Sequence, residues 1–102
     1  MNYVIRDRCI RNIASFYNHV ARKYRNTYTK QLMHKNLDEA IDAMFLIEQS
    51  LLRRRPTLKR WQNHGWDMAH AGHWYYAYTV SNHTITIEDA CHEQNMYEDA
   101  QM

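Results

Sequence analysis

The sequence predicts an α+β fold in which two N-terminal helices pack on one face of a small antiparallel sheet. Three observations point there. Apolar residues recur at helical spacing through the first half, a lone proline at position 56 closes that half, and short aromatic and β-branched runs separated by turn residues fill the second. With 102 residues (1–102) the chain is expected to form one domain. A domain of that size hides roughly two-thirds of the surface its unfolded chain exposes, enough for one modest core.

"NYVI" (Asn2 to Ile5) suits a short strand, because Tyr, Val and Ile fit a pleated surface. From Arg8 onward, Ile10, Ile13, Ala14, Tyr17, Val20, Ala21 and Tyr24 fall at three- and four-residue steps, one face of a helix with Arg and Lys opposite. Asn26 and Thr27 break that pattern. A second helical stretch runs to about Leu51, its stripe formed by Leu37, Ala40, Ile41, Met44, Ile47 and Leu51. Asn36 followed by Glu39 has capping-box spacing, so this helix either restarts there or runs unbroken from Tyr28. Pro56 ends helical territory, since its ring clashes within a helix and disfavours helical geometry at Arg55. "GWDMAH", "HWYYAYTV" and "HTITIED" then read as an antiparallel meander.

With two-residue loops at Ala71-Gly72 and Asn82-His83, residues opposed across the ladder share a face. Trp74, Tyr76, Tyr78, Val80, Ile85 and Ile87, with Ala69, form the face expected to meet the helices. His64, Trp66, Met68, His70, His73, Tyr75, Ala77, Thr79, Thr84, Thr86, Glu88, Ala90 and His92 form an open, wet face. Four of the seven histidines fall on it. Asp89, on the opposite side, is expected to fix structure.

Composition excludes several classes. No run approaches the ~18 apolar residues of a membrane span. The N-terminus lacks the apolar core and cleavage site of a secretory signal, which gives a cytoplasmic expectation. Cys9 and Cys91 have no CxxC spacing and read as buried thiols. The formal charge is only +2, but "RRRPTLKR" (Arg53 to Arg60) concentrates cations, whereas Glu88, Asp89, Glu93, Glu98 and Asp99 make the C-terminal end acidic. The histidines lack the i, i+4 spacing of zinc motifs, and neither a metal nor a cofactor is expected.

Imidazoles beside a carboxylate and a phenol suit general acid–base work near neutral pH, because an unperturbed histidine titrates at about 6.5. RNA is the substrate that fits the rest. Arg53, Arg54, Arg55, Lys59 and Arg60 are placed to hold phosphate, and Trp61 and Trp66 to stack on unpaired bases, with His73 beside them. Cleavage through the 2′-hydroxyl needs a base for that hydroxyl and an acid for the leaving oxygen.

The order of elements, one short strand, two helices and a meander with a short tail, resembles the RelE/ParE superfamily of toxins from bacterial toxin–antitoxin systems, over nearly the whole chain. "WYYAYTV" (Trp74 to Val80) is similar to that superfamily's aromatic-rich third strand. "ITIEDACHEQNMY" (Ile85 to Tyr97) is similar to its last strand and tail, with His92 and Tyr97 matching the tail's functional histidine and tyrosine. "DACHEQNM" resembles a subgroup in which a "DACH" box recurs. Two departures stand out. Tyr75 occupies the third-strand position of a RelE-like arginine, and Glu93 and Gln94 stand where arginines usually follow the histidine.

The resemblance implies a small toxin, a monomer or part of a small toxin–antitoxin complex, held inactive by a cognate antitoxin. RelE-like members cut messenger RNA on the ribosome, and ParE-like members inhibit DNA gyrase. With the arginines replaced, histidines are expected to carry RNA cleavage: His92 as acid or base for the leaving group, His70 or Glu88 as base for the 2′-hydroxyl, Tyr75 and Tyr97 orienting or stacking, and His64 as a further imidazole of the same set. A non-catalytic gyrase inhibitor and an inactive homologue are the competing expectations.

Overall fold

The computed structural model describes residues 2–50 and 55–96. In chain order the elements are β1 (Asn2–Ile5), α1 (Asp7–Lys23), α2 (Lys30–Met44), α3 (Ile47–Ser50), α4 (Lys59–His64), β2 (Asp67–Ala71), β3 (Trp74–Ser81) and β4 (Thr84–His92), followed by one 3₁₀ turn (Glu93–Asn95). The strands form one sheet in the order β1-β4-β3-β2. β2, β3 and β4 are the expected antiparallel meander, but β1 pairs parallel to β4, so the fold is α+β with a mixed sheet. A parallel pair needs a crossover, and the helices between β1 and β4 supply it.

α1 follows the sequence pattern, burying Cys9, Ile13 and Tyr17, and it carries Arg22 and Lys23 in its last turn, where cations suit the helix dipole. Of the two starts the sequence left open, the second helix takes the one near Tyr28, beginning at Lys30, and it ends sooner than the apolar stripe implies. Thr29 is its cap, with Oγ1 accepting the Leu32 N–H at 3.1 Å. The Asn36 expected as a cap lies inside the helix and donates through Nδ2 to the Tyr28 hydroxyl at 2.6 Å. Phe45 and Leu46 then interrupt the helix before α3.

The largest departure is α4, which falls just beyond Pro56, where helical territory was expected to have ended. Leu58 and Trp61 lie three residues apart, and each has no exposed surface. Gly65 closes the helix with φ of 70°, while Gly65 N–H donates to Gln62 and Trp66 N–H to Trp61. That paired 5→2 and 6→1 pattern is a Schellman motif, which favours glycine at the left-handed position. α4 covers part of the face expected to be open: Met68 is 3% and Ala77 0% exposed, packed with Leu58, Trp61 and Cys91 in a second core.

The larger core lies between the helices and the other face, where Ala69, Trp74, Tyr76, Tyr78, Ile85 and Ile87 are buried as expected. Val80, near the strand end, is not: 36% of it is exposed.

Both hairpins turn on two residues. Asn82 and His83 have φ of 51° and 61°, the double positive φ of a type I′ turn. The other loop is Gly72-His73 rather than Ala71-Gly72, with Ala71 opposite Trp74. Moving the loop by one residue slides the partner strand by two, so the alternation of faces survives. β4 is different. Tyr78 pairs with Ile87 but Ala77 with Asp89, leaving Glu88 as a β-bulge. Beyond it every side chain of β4 changes side relative to a regular ladder.

Candidate functional site

The bulge decides where the C-terminal residues go. A regular ladder would place Ala90 and His92 on the face with Glu88, and the sequence reading put them there. Instead Ala90 lies opposite Tyr76 and His92 opposite Trp74, so both join the helix side. Asp89 and Cys91, opposite Ala77 and Tyr75, take the other side, which also reverses the placement expected for Asp89.

At the end of the sheet where β2 turns into β3 and β4 leaves, five polar and aromatic side chains meet. Glu93, in the 3₁₀ turn, presents one carboxylate oxygen to each of two imidazoles. His73 Nδ1 lies 2.9 Å from Oε1 and His70 Nε2 3.7 Å from Oε2. The Glu93 N–H donates to the His73 carbonyl at 2.9 Å, so backbone and side chain fix the same pair. The His70 ring stacks on Tyr75 at 4.2 Å between centroids. The hydrogen bond with His73 is the main reason the Glu93 carboxyl is held below its ordinary range, with the charges of His73, His92 and His70 adding to it. A carboxylate accepts only, so His73 Nδ1 carries the proton and its Nε2 is the free base nitrogen in the neutral ring.

His92 stands on the far side of His73, with ring centroids 6.2 Å apart. It stacks on Phe16 of α1 at 4.0 Å and 11° and takes the edge of Trp74 at 5.2 Å. Its Nδ1 accepts the Gln94 N–H at 3.2 Å, so the neutral ring carries its proton on Nε2. Burial pushes its pKa below 6.5, opposed by Glu93 and reinforced by His73. At neutral pH His92 is therefore a neutral hydrogen-bond donor.

The remaining sequence-nominated residues are dispersed. Glu88 receives Arg6 Nε at 3.1 Å and the Thr79 hydroxyl at 3.2 Å. It lies at the bulge, four residues before His92 on β4. His64 stacks on Trp66 at 4.1 Å, with the Arg8 guanidinium 5.7 Å from the Trp66 ring, a separate constellation on the α4 side. Trp61 is core, not a base platform: its Nε1 donates to Asp89 Oδ2 at 2.8 Å. Asp89 also accepts Asn12 Nδ2 at 2.7 Å and the Ala90 N–H at 2.9 Å, tying α1, α4 and β4 together. Arg55, Lys59 and Arg60 are exposed. Arg53, Arg54 and Tyr97 lie outside the described residues. Among the described residues no group of three or more His, Cys, Asp or Glu side chains is arranged to hold a metal ion. His70 and His73 meet the two oxygens of Glu93 rather than a common point.

Two cavities flank His92. One of about 340 Å³ is lined by Asn12, Ser15, Phe16, Arg60 and Asn95 among others. The second, about 610 Å³, runs between α1, the start of α2 and the 3₁₀ turn. Phe16, Glu93 and Asn95 were missed from sequence. Phe16 falls outside the apolar stripe of α1, and Glu93 enters the site only because the Gly72-His73 turn folds back on it. Among the described residues no helix is long and apolar enough to cross a membrane. No family model, curated protein or solved structure matches this chain.

Proposed function

We propose that this protein is a metal-independent endoribonuclease of the RelE-like toxin type, with the rim cluster of His70, His73, Tyr75 and Glu93 as its acid–base centre. One observation carries the reading: a carboxylate set between two imidazoles at an accessible sheet end, with His73 Nδ1 held at 2.9 Å. In this scheme His73 Nε2 takes the proton of the RNA 2′-hydroxyl as that oxygen attacks the adjacent phosphorus. The bond from phosphorus to the 5′-oxygen breaks, and protonated His70 returns a proton to the departing oxygen. The products are a 2′,3′-cyclic phosphate and a 5′-hydroxyl. Glu93 orients His73 and stabilises the imidazolium formed, the role a carboxylate plays behind a catalytic histidine. Tyr75, stacked under His70, fixes that ring.

The order β1, α1, α2, then three antiparallel strands and a tail supports the RelE/ParE-like reading. It brings with it a cognate antitoxin, ribosome-bound messenger RNA as substrate, and a cytoplasmic setting. The short α4 is an addition to that scheme, and it leaves the rim uncovered.

Purified protein added to a reconstituted translation reaction should produce RNA fragments ending in cyclic phosphate. Glu93→Gln and His73→Ala should each lower the cleavage rate by about 10²- to 10⁴-fold, the usual range for a lost general base. Cleavage unchanged in both variants overturns the assignment.

A further inference from the structure

The groove between α1, the start of α2 and the 3₁₀ turn has no part in the rim chemistry: none of His70, His73, Tyr75 or Glu93 lines it. Its volume, about 610 Å³, is that of a small-molecule site, which typically spans roughly 300–1,000 Å³. The lining has a consistent chemistry. Phe16, Tyr24 and Tyr28 supply rings, Asn36 and Asn95 supply amides, and Lys23 supplies a cation, while no Asp, Glu or Arg is among the described residues that line it.

The polar groups keep hydrogen-bonding capacity to offer. Asn36 Nδ2 donates to the Tyr28 hydroxyl at 2.6 Å, which leaves the Asn36 amide oxygen to accept and the Tyr28 proton to donate. His92, lining the groove from β4, adds the Nε2 donor left by its Nδ1 contact with the Gln94 N–H. Tyr24 is half exposed, with Lys23 Nζ 5.6 Å from its ring, so a stacking face and a cation stand together.

Each feature narrows the ligand. Rings favour a planar partner, because aromatic pairs stack in offset or edge-to-face arrangements. A donor beside an acceptor favours a ring with a polar edge, as a nucleobase has, whereas an acyl chain would desolvate those groups and leave them unpaired. A single lysine suits a single anionic group.

We propose that this groove binds a nucleoside monophosphate unit, its base against Tyr24 and Tyr28, its polar edge on Asn36 and its phosphate on Lys23. A free nucleotide and one residue of an RNA strand present the same base, ribose and phosphate. The site does not depend on the ribonuclease reading, since binding here needs no cleavage at the rim.

Isothermal titration calorimetry on the full chain with AMP, GMP, CMP and UMP, their parent nucleosides and 2′-O-methyl trinucleotides tests it. At least one monophosphate should bind saturably. Tyr24→Ala should weaken that binding about tenfold, the loss of one stacked base. Lys23→Glu should weaken it about fivefold and leave the parent nucleoside within twofold, since the nucleoside carries no charge. Lys59→Glu, in α4 and outside the groove, should leave all ligands within twofold. A trinucleotide that binds tenfold or more tighter and is displaced by the monophosphate identifies RNA as the source; equal or weaker trinucleotide binding identifies the free nucleotide. Absence of binding by monophosphates and trinucleotides alike overturns the proposal, as does binding unchanged in both Tyr24→Ala and Lys23→Glu. Nucleotide binding without RNA cleavage overturns the rim chemistry and leaves this groove standing, and cleavage without nucleotide binding does the reverse.

Discussion

Asp89 and His92, three residues apart on β4, are both buried and solve that problem in opposite ways. Asp89 is a carboxylate supplied with donors, from Asn12 at 2.7 Å, Trp61 at 2.8 Å and the Ala90 N–H at 2.9 Å. Replacing it with alanine strands the first two donors. We expect a loss of about 3 kcal/mol, from two hydrogen bonds to a charged group at ~1.5 kcal/mol each, and a fall in Tm of roughly 10–20 °C. A melt within 3 °C of wild type would show that the network carries no such load. His92 has no such supply and is kept neutral by burial. The unfolded ring titrates near 6.5 and the folded ring lower, so the unfolded state binds more protons in between. Stability tied to His92 is therefore complete above about pH 6.5 and drains away as pH falls through the lower folded value. Proton NMR should place the His92 midpoint below 6.5 in the wild type and return it towards 6.5 in Phe16→Ala, where water reaches the ring. A midpoint at or above 6.5 in the wild type contradicts the packing described.

At the scale of elements, what was legible depended on length and period. α1, with 17 residues, repeats its apolar face often enough to be read directly. The strands announce themselves through aromatics and Thr-Ile alternation. α4 has only six residues, too few for a period, and its sequence mark was the Leu58–Trp61 spacing closed by Gly65. Reading Trp61 as a base-stacking residue missed that a tryptophan three residues from a leucine and just ahead of a glycine cap is well placed for a core. Trp61→Ala should cost about 3–5 kcal/mol, as buried aromatic truncations do, and should expose Cys91 to thiol reagents. Thiol reactivity unchanged in that variant would mean that α4 does not seal this face. The Glu88 bulge left no mark in composition, because a bulge is set by what the two strands must each bury. Removing Glu88 restores a regular ladder in which Asp89 to His92 keep their present faces. The deletion should fold with the His92 midpoint still below 6.5, and a shifted midpoint would show that the bulge does more than set register.

For the molecule as a whole, the sequence assigned the two faces of the sheet correctly as far as the Glu88 bulge, misplaced the residues beyond it and misjudged what covers the second face. The expectation of an open imidazole face drew together His64, His70, His73 and His92, but the fold keeps only His70 and His73 on one carboxylate. His64 goes to Trp66 and His92 to Phe16. Clustering by face alone could not separate these, since the separation comes from one bulge and one six-residue helix. Charge was legible from the sequence in full: besides "RRRPTLKR", the stretch from Arg8 to Leu37 carries no Asp or Glu and holds more than half of the lysines and arginines. Cleavage of RNA by the His70–Glu93–His73 cluster is open to a test in cells. Wild type and a His70→Ala, His73→Ala double variant are induced to equal levels, and the 5′ ends of messenger RNA are mapped during growth arrest. New ends within translated frames that disappear in the double variant are the predicted result. Growth arrest of equal depth in both, with DNA damage and no new ends, would contradict it and favour a ParE-like inhibitor of gyrase.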